Sequence, residues 1–186
     1  MLIITSTCLS QYSDYCSLSP NHIMCKHRDG PSSNCGAVYS RGLTLQDRYI
    51  ALSTHNQLRS RLATGLNNIP RASNMMQLRW DAELAEVAQR HADQCSFVHD
   101  CSDCRRVGRF RVGQNLLREK TVTLEQPDWK FAVQSWFREI KDYPNTDNSA
   151  IYRYWFLILF SARLCHCFEY ILLPYGWFSW FSQKLT

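Results

Sequence analysis

The chain has 186 residues, 45% of them hydrophobic and 20% charged, with a formal net charge of +5. That length suits one compact domain and is short for two, and the balance excludes a disordered or collagen-like chain. The basic surplus is too scattered for a nucleic-acid tail; its densest group, Arg105, Arg106, Arg109 and Arg111, reads as a solvated loop.

Residues 1–15 open on a stub of an apolar run with no basic residue before it, a poor signal peptide that reads either as a degenerate leader or as a sequence that starts late. The whole chain carries nine cysteines. Cys16, Cys25 and Cys35 sit in a Ser/Pro/Asn/Gly-rich stretch, while Cys95, Cys101 and Cys104 lie far downstream. Close Cys/His doublets do not repeat at zinc-module spacing, so extracellular disulfides are the expectation. Residues 16–42, punctuated by Pro20, Gly30, Pro31, Gly36 and Gly42, read as a bridged loop.

The first helix is predicted to begin near Thr44, where Thr44 and Asp47 have capping-box spacing. Ala51, His55, Leu58 and Leu62 recur at helical intervals, and Gly65 supplies a stop. His55 lies on that apolar face and reads as a packed, hydrogen-bonded core histidine; Asn56 and Arg59 are expected to tie the helix to neighbouring loops. A second helix is predicted from Asp81 to about Cys95, with Leu84, Ala88 and Ala92 on one face. The segment 110–116 suits a strand or a strand-entering turn. A third helix follows Pro127, where Trp129, Val133, Trp136, Ile140 and Tyr143 form an apolar stripe of core character.

The carboxyl end, residues 146–186, is a hydrophobic tail. Its apolar runs at 152–160 and 171–178 are separated by Arg163, His166 and Glu169. Neither reaches the roughly 20 residues of a spanning helix, so a membrane anchor is not expected. Buried strands and translated non-coding sequence both remain open for this tail.

Five segments in order over residues 44–143 resemble the CAP superfamily of cysteine-rich secretory, antigen-five and plant pathogenesis-related proteins. They are His55-Asn-Gln-Leu-Arg59, Leu78-Arg-Trp80-Asp-Ala-Glu-Leu84, Cys95-Ser-Phe-Val-His99-Asp-Cys101, Gly113-Gln114-Asn115 and Trp136-Phe-Arg-Glu139-Ile-Lys-Asp-Tyr143. The Cys16…Cys25…Cys35 spacing and the G-Q-N segment are similar to insect antigen five in particular. The resemblance implies an α+β fold, an α-β-α sandwich with a small antiparallel sheet, filling residues 43–145, with its C-terminal strands incomplete or replaced.

The family's cleft unites two histidines and two acids, which hold a divalent metal in some members. By position, His99 is the first histidine, Gln114 replaces the first glutamate and Glu139 is the second. The second histidine's segment is missing after residue 143. A divalent ion wants at least three protein ligands, and Gln114 offers a neutral carbonyl. The expectation is a hydrogen-bonded cleft, with neither a metal nor another cofactor and no catalytic residue. The resemblance further implies disulfides Cys16–Cys25 and Cys35–Cys95. Pro20 stands where a third bridge would start, so Cys101 and Cys104 are expected to clasp each other, a plain clasp rather than a redox pair. Cys8, Cys165 and Cys167 have no counterpart.

Functionally, the resemblance implies a secreted, non-enzymatic binding protein for an extracellular protein or a small lipid-like ligand, with no nucleic-acid partner. The alternatives are a metal-dependent or cleft hydrolase and a non-functional truncated paralogue.

Overall fold

The structure, a computed structural model, describes residues 14–65, 71, 75–118, 127–142, 171–172 and 180–181, the backbone alone at residue 142 and in the last two pairs. Where a bridged loop was expected, two single-turn helices form, α1 (Tyr15–Leu18) and α2 (Ile23–Lys26). Asp14 and the His22 imidazole cap them by accepting from Cys16 N–H and Met24 N–H. A 3-10 turn (Ser33–Cys35) and a short strand, β1 (Ser40–Arg41), follow.

Helix α3 (Leu45–Ala63) starts at the predicted box. Thr44 Oγ1 accepts from Asp47 N–H at 3.1 Å, and an Asp47 carboxylate oxygen accepts from Thr44 N–H at 2.9 Å. Two orphan donors of the first turn are thereby satisfied. The helix stops at Gly65, whose φ of 91° is a left-handed conformation that glycine adopts without steric cost.

Helix α4 (Ala82–Ala92) begins where the Asp81 carboxylate accepts from Glu83 N–H and Leu84 N–H. It ends three residues before the predicted Cys95. Cys95 instead takes φ 52°, in the region that non-glycine residues seldom adopt, and turns the chain out of the helix. Helix α5 (Trp129–Arg138), capped by Asp128, is also shorter than its apolar stripe; Glu139–Asp142 tighten into a 3-10 turn. Ile140 is half-buried in that turn, and Tyr143 lies outside the described residues.

Strand structure is sparser than the sequence suggests. In the stretch read as a strand, Val107 and Phe110 form one isolated bridge, and the ladder is confined to β2 (Leu116–Leu117). The tail contributes pairing segments: β3 (Ile171–Leu172) runs antiparallel to β1, and β4 (Trp180–Phe181) antiparallel to β2. Two-residue segments are all that the described residues show of C-terminal strands, in keeping with the expectation that these are incomplete or replaced. The described ladders are two separate pairs rather than one sheet. The rest of the tail, with Cys165 and Cys167, and residues 1–13, with Cys8, lie outside the described residues.

Two apolar clusters hold the helices. One joins Leu43 and Ala51 to Trp129, Ala132, Val133 and Trp136, packing α3 on α5, with Leu117 against it. The other joins Leu84, Ala85 and Ala88 to Val107, with Phe110, Val112 and Leu116 alongside. Trp80 touches both. A smaller patch seats Tyr15 and Ile23 on Val87, so the N-terminal segment covers a further face of α4. Burial of this kind stabilises by about 25 cal/mol per Å² of apolar surface. Among the described residues, no helix is long and apolar enough to cross a membrane.

Candidate functional site

His99 and Gln114 meet in a polar cleft between the loop that follows α4 and the segment that enters β2. Gln114 is almost wholly buried, at 1% exposure, while the His99 ring is exposed. The Gln114 Oε1 accepts from Asp100 N–H at 3.2 Å and lies 2.7 Å from His99 Nδ1. The Gln114 oxygen can only accept, so His99 Nδ1 is the donor of that contact. The Gln114 Nε2 is buried with no hydrogen-bond partner among the described residues.

Arg105 braces this arrangement. Its Nε donates to Val112 O at 2.9 Å and its Nη1 to Asp100 O at 2.8 Å, with a further bond to the Asp100 carboxylate. One buried guanidinium thus clamps the loop to the strand approach. Cys101 and Cys104 are joined by a disulfide across the 3-10 turn between them. His91, on α4 beneath the loop, hydrogen-bonds the Val98 backbone; burial lowers its pKa to about 4, against the opposing field of Asp100. Of the arginine group read as a solvated loop, Arg105 is instead buried on Asp100, while Arg106, Arg109 and Arg111 are exposed, Arg109 bonding Asp81 and Glu83 at 2.7 Å each.

Glu139 is exposed at the C-cap of α5. Its helix is tied toward the cleft by Trp136 Nε1, which donates to Leu116 O at 3.5 Å, two residues beyond Gln114. The described donors do not suit a divalent ion. The Gln114 oxygen is neutral and already takes two N–H groups, and among the described residues no three His, Cys, Asp or Glu side chains group at ligating range.

The remaining sequence-selected residues have structural roles. The His55 Nδ1–H donates to Ala51 O at 2.9 Å, and burial lowers its pKa to about 4. Asn56 exchanges two hydrogen bonds with the Leu78 backbone, at 3.1 and 2.8 Å. Arg59, 2% exposed, donates twice to Met76 O, and burial lowers its pKa to about 10. Besides the Cys101–Cys104 clasp, disulfides join Cys16 to Cys25 and Cys35 to Cys95.

Two structural residues escaped the sequence reading. His22 is fully enclosed, stacked on Tyr15 with ring centroids 4.6 Å apart, and its Nε2–H donates to Arg106 O at 2.8 Å. Asp93, also fully enclosed, receives Arg41 through both carboxylate oxygens at 2.8 and 2.7 Å. The one local signal was His22 preceding a short apolar turn at N-cap position.

Comparison with known proteins agrees with this architecture. The CAP, Cysteine-rich secretory protein family, matches residues 52–171. A CRISP/Allergen/PR-1 protein of Trittame loki is 48% identical over 141 residues, which cover 74% of this chain and 33% of that protein. A Venom allergen 5 of Tityus serrulatus is 37% identical over 142 residues, 74% of this chain and 32% of its own. One from Dolichovespula arenaria is 34% identical over 146 residues, 73% of this chain and 71% of the relative. The chain therefore spans about a third of the length of the first two relatives. Spider and scorpion proteins stand among these relatives, so the G-Q-N segment does not fix an insect source. With its ordered motifs, its clamped cleft and these matches, the chain belongs to the CAP family of cysteine-rich secretory proteins.

Proposed function

We propose that the chain acts outside the cell as an antigen-five-like binding protein without catalytic activity, recognising an extracellular protein or carrying a small lipid-like ligand. The observation that carries this reading is the state of Gln114. Its oxygen is spent on His99 Nδ1–H and Asp100 N–H, so a neutral amide stands where an acid would be needed as base or ligand. Three disulfides among the described residues support an oxidising compartment. Pairing of Arg105 and Arg109 with acids leaves little basic surface there for nucleic acid.

A lipid-like guest would fit the open trough of about 710 Å³ along the outer face of α3, where Tyr49 and Leu52 line one wall and Gln57 offers an amide. The test is made on secreted, oxidised protein by metal analysis, a hydrolase panel and displacement of a fluorescent fatty acid. The expected result is no stoichiometric zinc or copper, no turnover, and fatty-acid or protein-target binding that Leu52→Asp weakens only when the guest is lipid. Stoichiometric metal, or turnover abolished by His99→Ala, would restore the hydrolase reading.

A further inference from the structure

Between the N-terminal segment, α3 and α4 lies a second, polar pocket of about 400 Å³, separate from the His99 cleft. Three side chains that line it carry buried polar atoms without a hydrogen-bond partner among the described residues: Gln89 Oε1, Arg90 Nε and Arg48 Nε. Buried polar groups are nearly always paired, and each unpaired one carries its full desolvation cost. Three around one cavity therefore describe the complement of a guest.

The network fixes which way each group faces. Gln89, 7% exposed, donates through Nε2 to Asp93 Oδ1 at 2.8 Å. A reversed amide would set its oxygen against a carboxylate, so Oε1 is the acceptor left over. Arg90, 8% exposed, donates from Nη1 to His27 O at 2.7 Å. Its Nη2 is 3.8 Å from both Asp29 and Glu86, beyond hydrogen-bond length, and its Nε–H is unspent. Arg48, from the first turn of α3, lays its guanidinium over Trp80, 5.3 Å from the ring centroid, with no ion pair among the described residues.

Charge narrows the guest. Arg41, Arg48 and Arg90 face Asp29, Glu86 and the enclosed Asp93, three cations against three anions. A simple anion gains no net field from such a set. A guest that carries both signs side by side can answer Arg48, which has no ion pair among the described residues, and the unspent Gln89 oxygen together. We propose that this pocket binds a zwitterion of the free α-amino-acid class. Its carboxylate accepts from the Nε–H groups of Arg48 and Arg90, its ammonium donates to Gln89 Oε1 and the Glu86 carboxylate, and its side chain lies toward Trp80.

The experiment uses the full oxidised chain, a thermal-shift screen of the standard α-amino acids, and calorimetry on the best binder with its N-acetyl and decarboxylated analogues. The free amino acid is expected to bind at least about tenfold more tightly than either analogue, the size of one lost charged hydrogen bond. Arg48→Met, at a half-buried side chain, weakens the amino acid by about tenfold. Glu86→Gln weakens the amino acid and leaves the N-acetyl analogue unchanged. A retained melting profile in both variants separates these losses from misfolding. Failure of every amino acid to shift the melt, or equal binding of the N-acetyl analogue or of inorganic phosphate, would overturn the proposal.

Discussion

Three enclosed histidines, His22, His55 and His91, are held neutral by burial, each with its pKa below the ordinary 6.5, and the last two near 4. The unfolded chain takes up these protons near pH 6.5, whereas the folded chain resists until lower pH. Their stabilising contribution is therefore complete above pH 6.5 and is lost as pH falls toward 4, at up to about 1.4 kcal/mol per pH unit for each ring. Asp29, whose carboxyl is lowered from 3.8 mainly by its hydrogen bond to Arg41, acts only below that window. Urea midpoints are expected to fall steadily between pH 6.5 and 4.5, less steeply in His55→Gln, and a flat profile would contradict the assignment. His55 was legible because its apolar neighbours recur at the helical period. His22 was not, because the carbonyl that orients it belongs to Arg106, 84 residues away. The exchange of an acid for Gln114 could be read from the G-Q-N segment; that its oxygen would be engaged twice could not, since Asp100 N–H is placed by the folded loop.

At the scale of elements, local chemistry fixed starts better than stops. Thr44→Ala removes one side-chain acceptor from the first turn of α3 and should cost about 1 kcal/mol in chemical denaturation, with Thr44→Ser nearly silent. The stop of α5 was misplaced because an apolar stripe continues through a 3-10 turn as readily as through a helix. Helix α4 was read from Leu84, Ala88 and Ala92 as one-sided. In the fold Val87, Gln89, Arg90 and His91 are buried as well. The N-terminal segment supplies that cover, with Ile23 on Val87 and the His27 carbonyl on Arg90, and no periodicity within α4 encodes it. The segment 110–116 alternates like a strand, yet pairing begins only at Leu116, whose partner in β4 is Phe181, 65 residues further along. Register of that kind is a property of two distant segments together.

Across the whole molecule the bridges differ in how much chain they close. Cys35–Cys95 spans 60 positions, Cys16–Cys25 nine and Cys101–Cys104 three. On the loop-entropy account, removing the longest should cost about 4 kcal/mol and the shortest about 2 kcal/mol. Paired Cys→Ser variants compared by thermal melting would check that order, and an inverted ranking would count against it. The Arg41–Asp93 pair fastens the same junction as Cys35–Cys95, with Ser32 N–H donating to Asp93 O at 2.8 Å between them. Trp80 has a broader effect. Its ring is a shared wall of the α3–α5 core and the α4 core, so neither can loosen without exposing a surface that the other depends on. A chain assembled this way melts as one body rather than in halves.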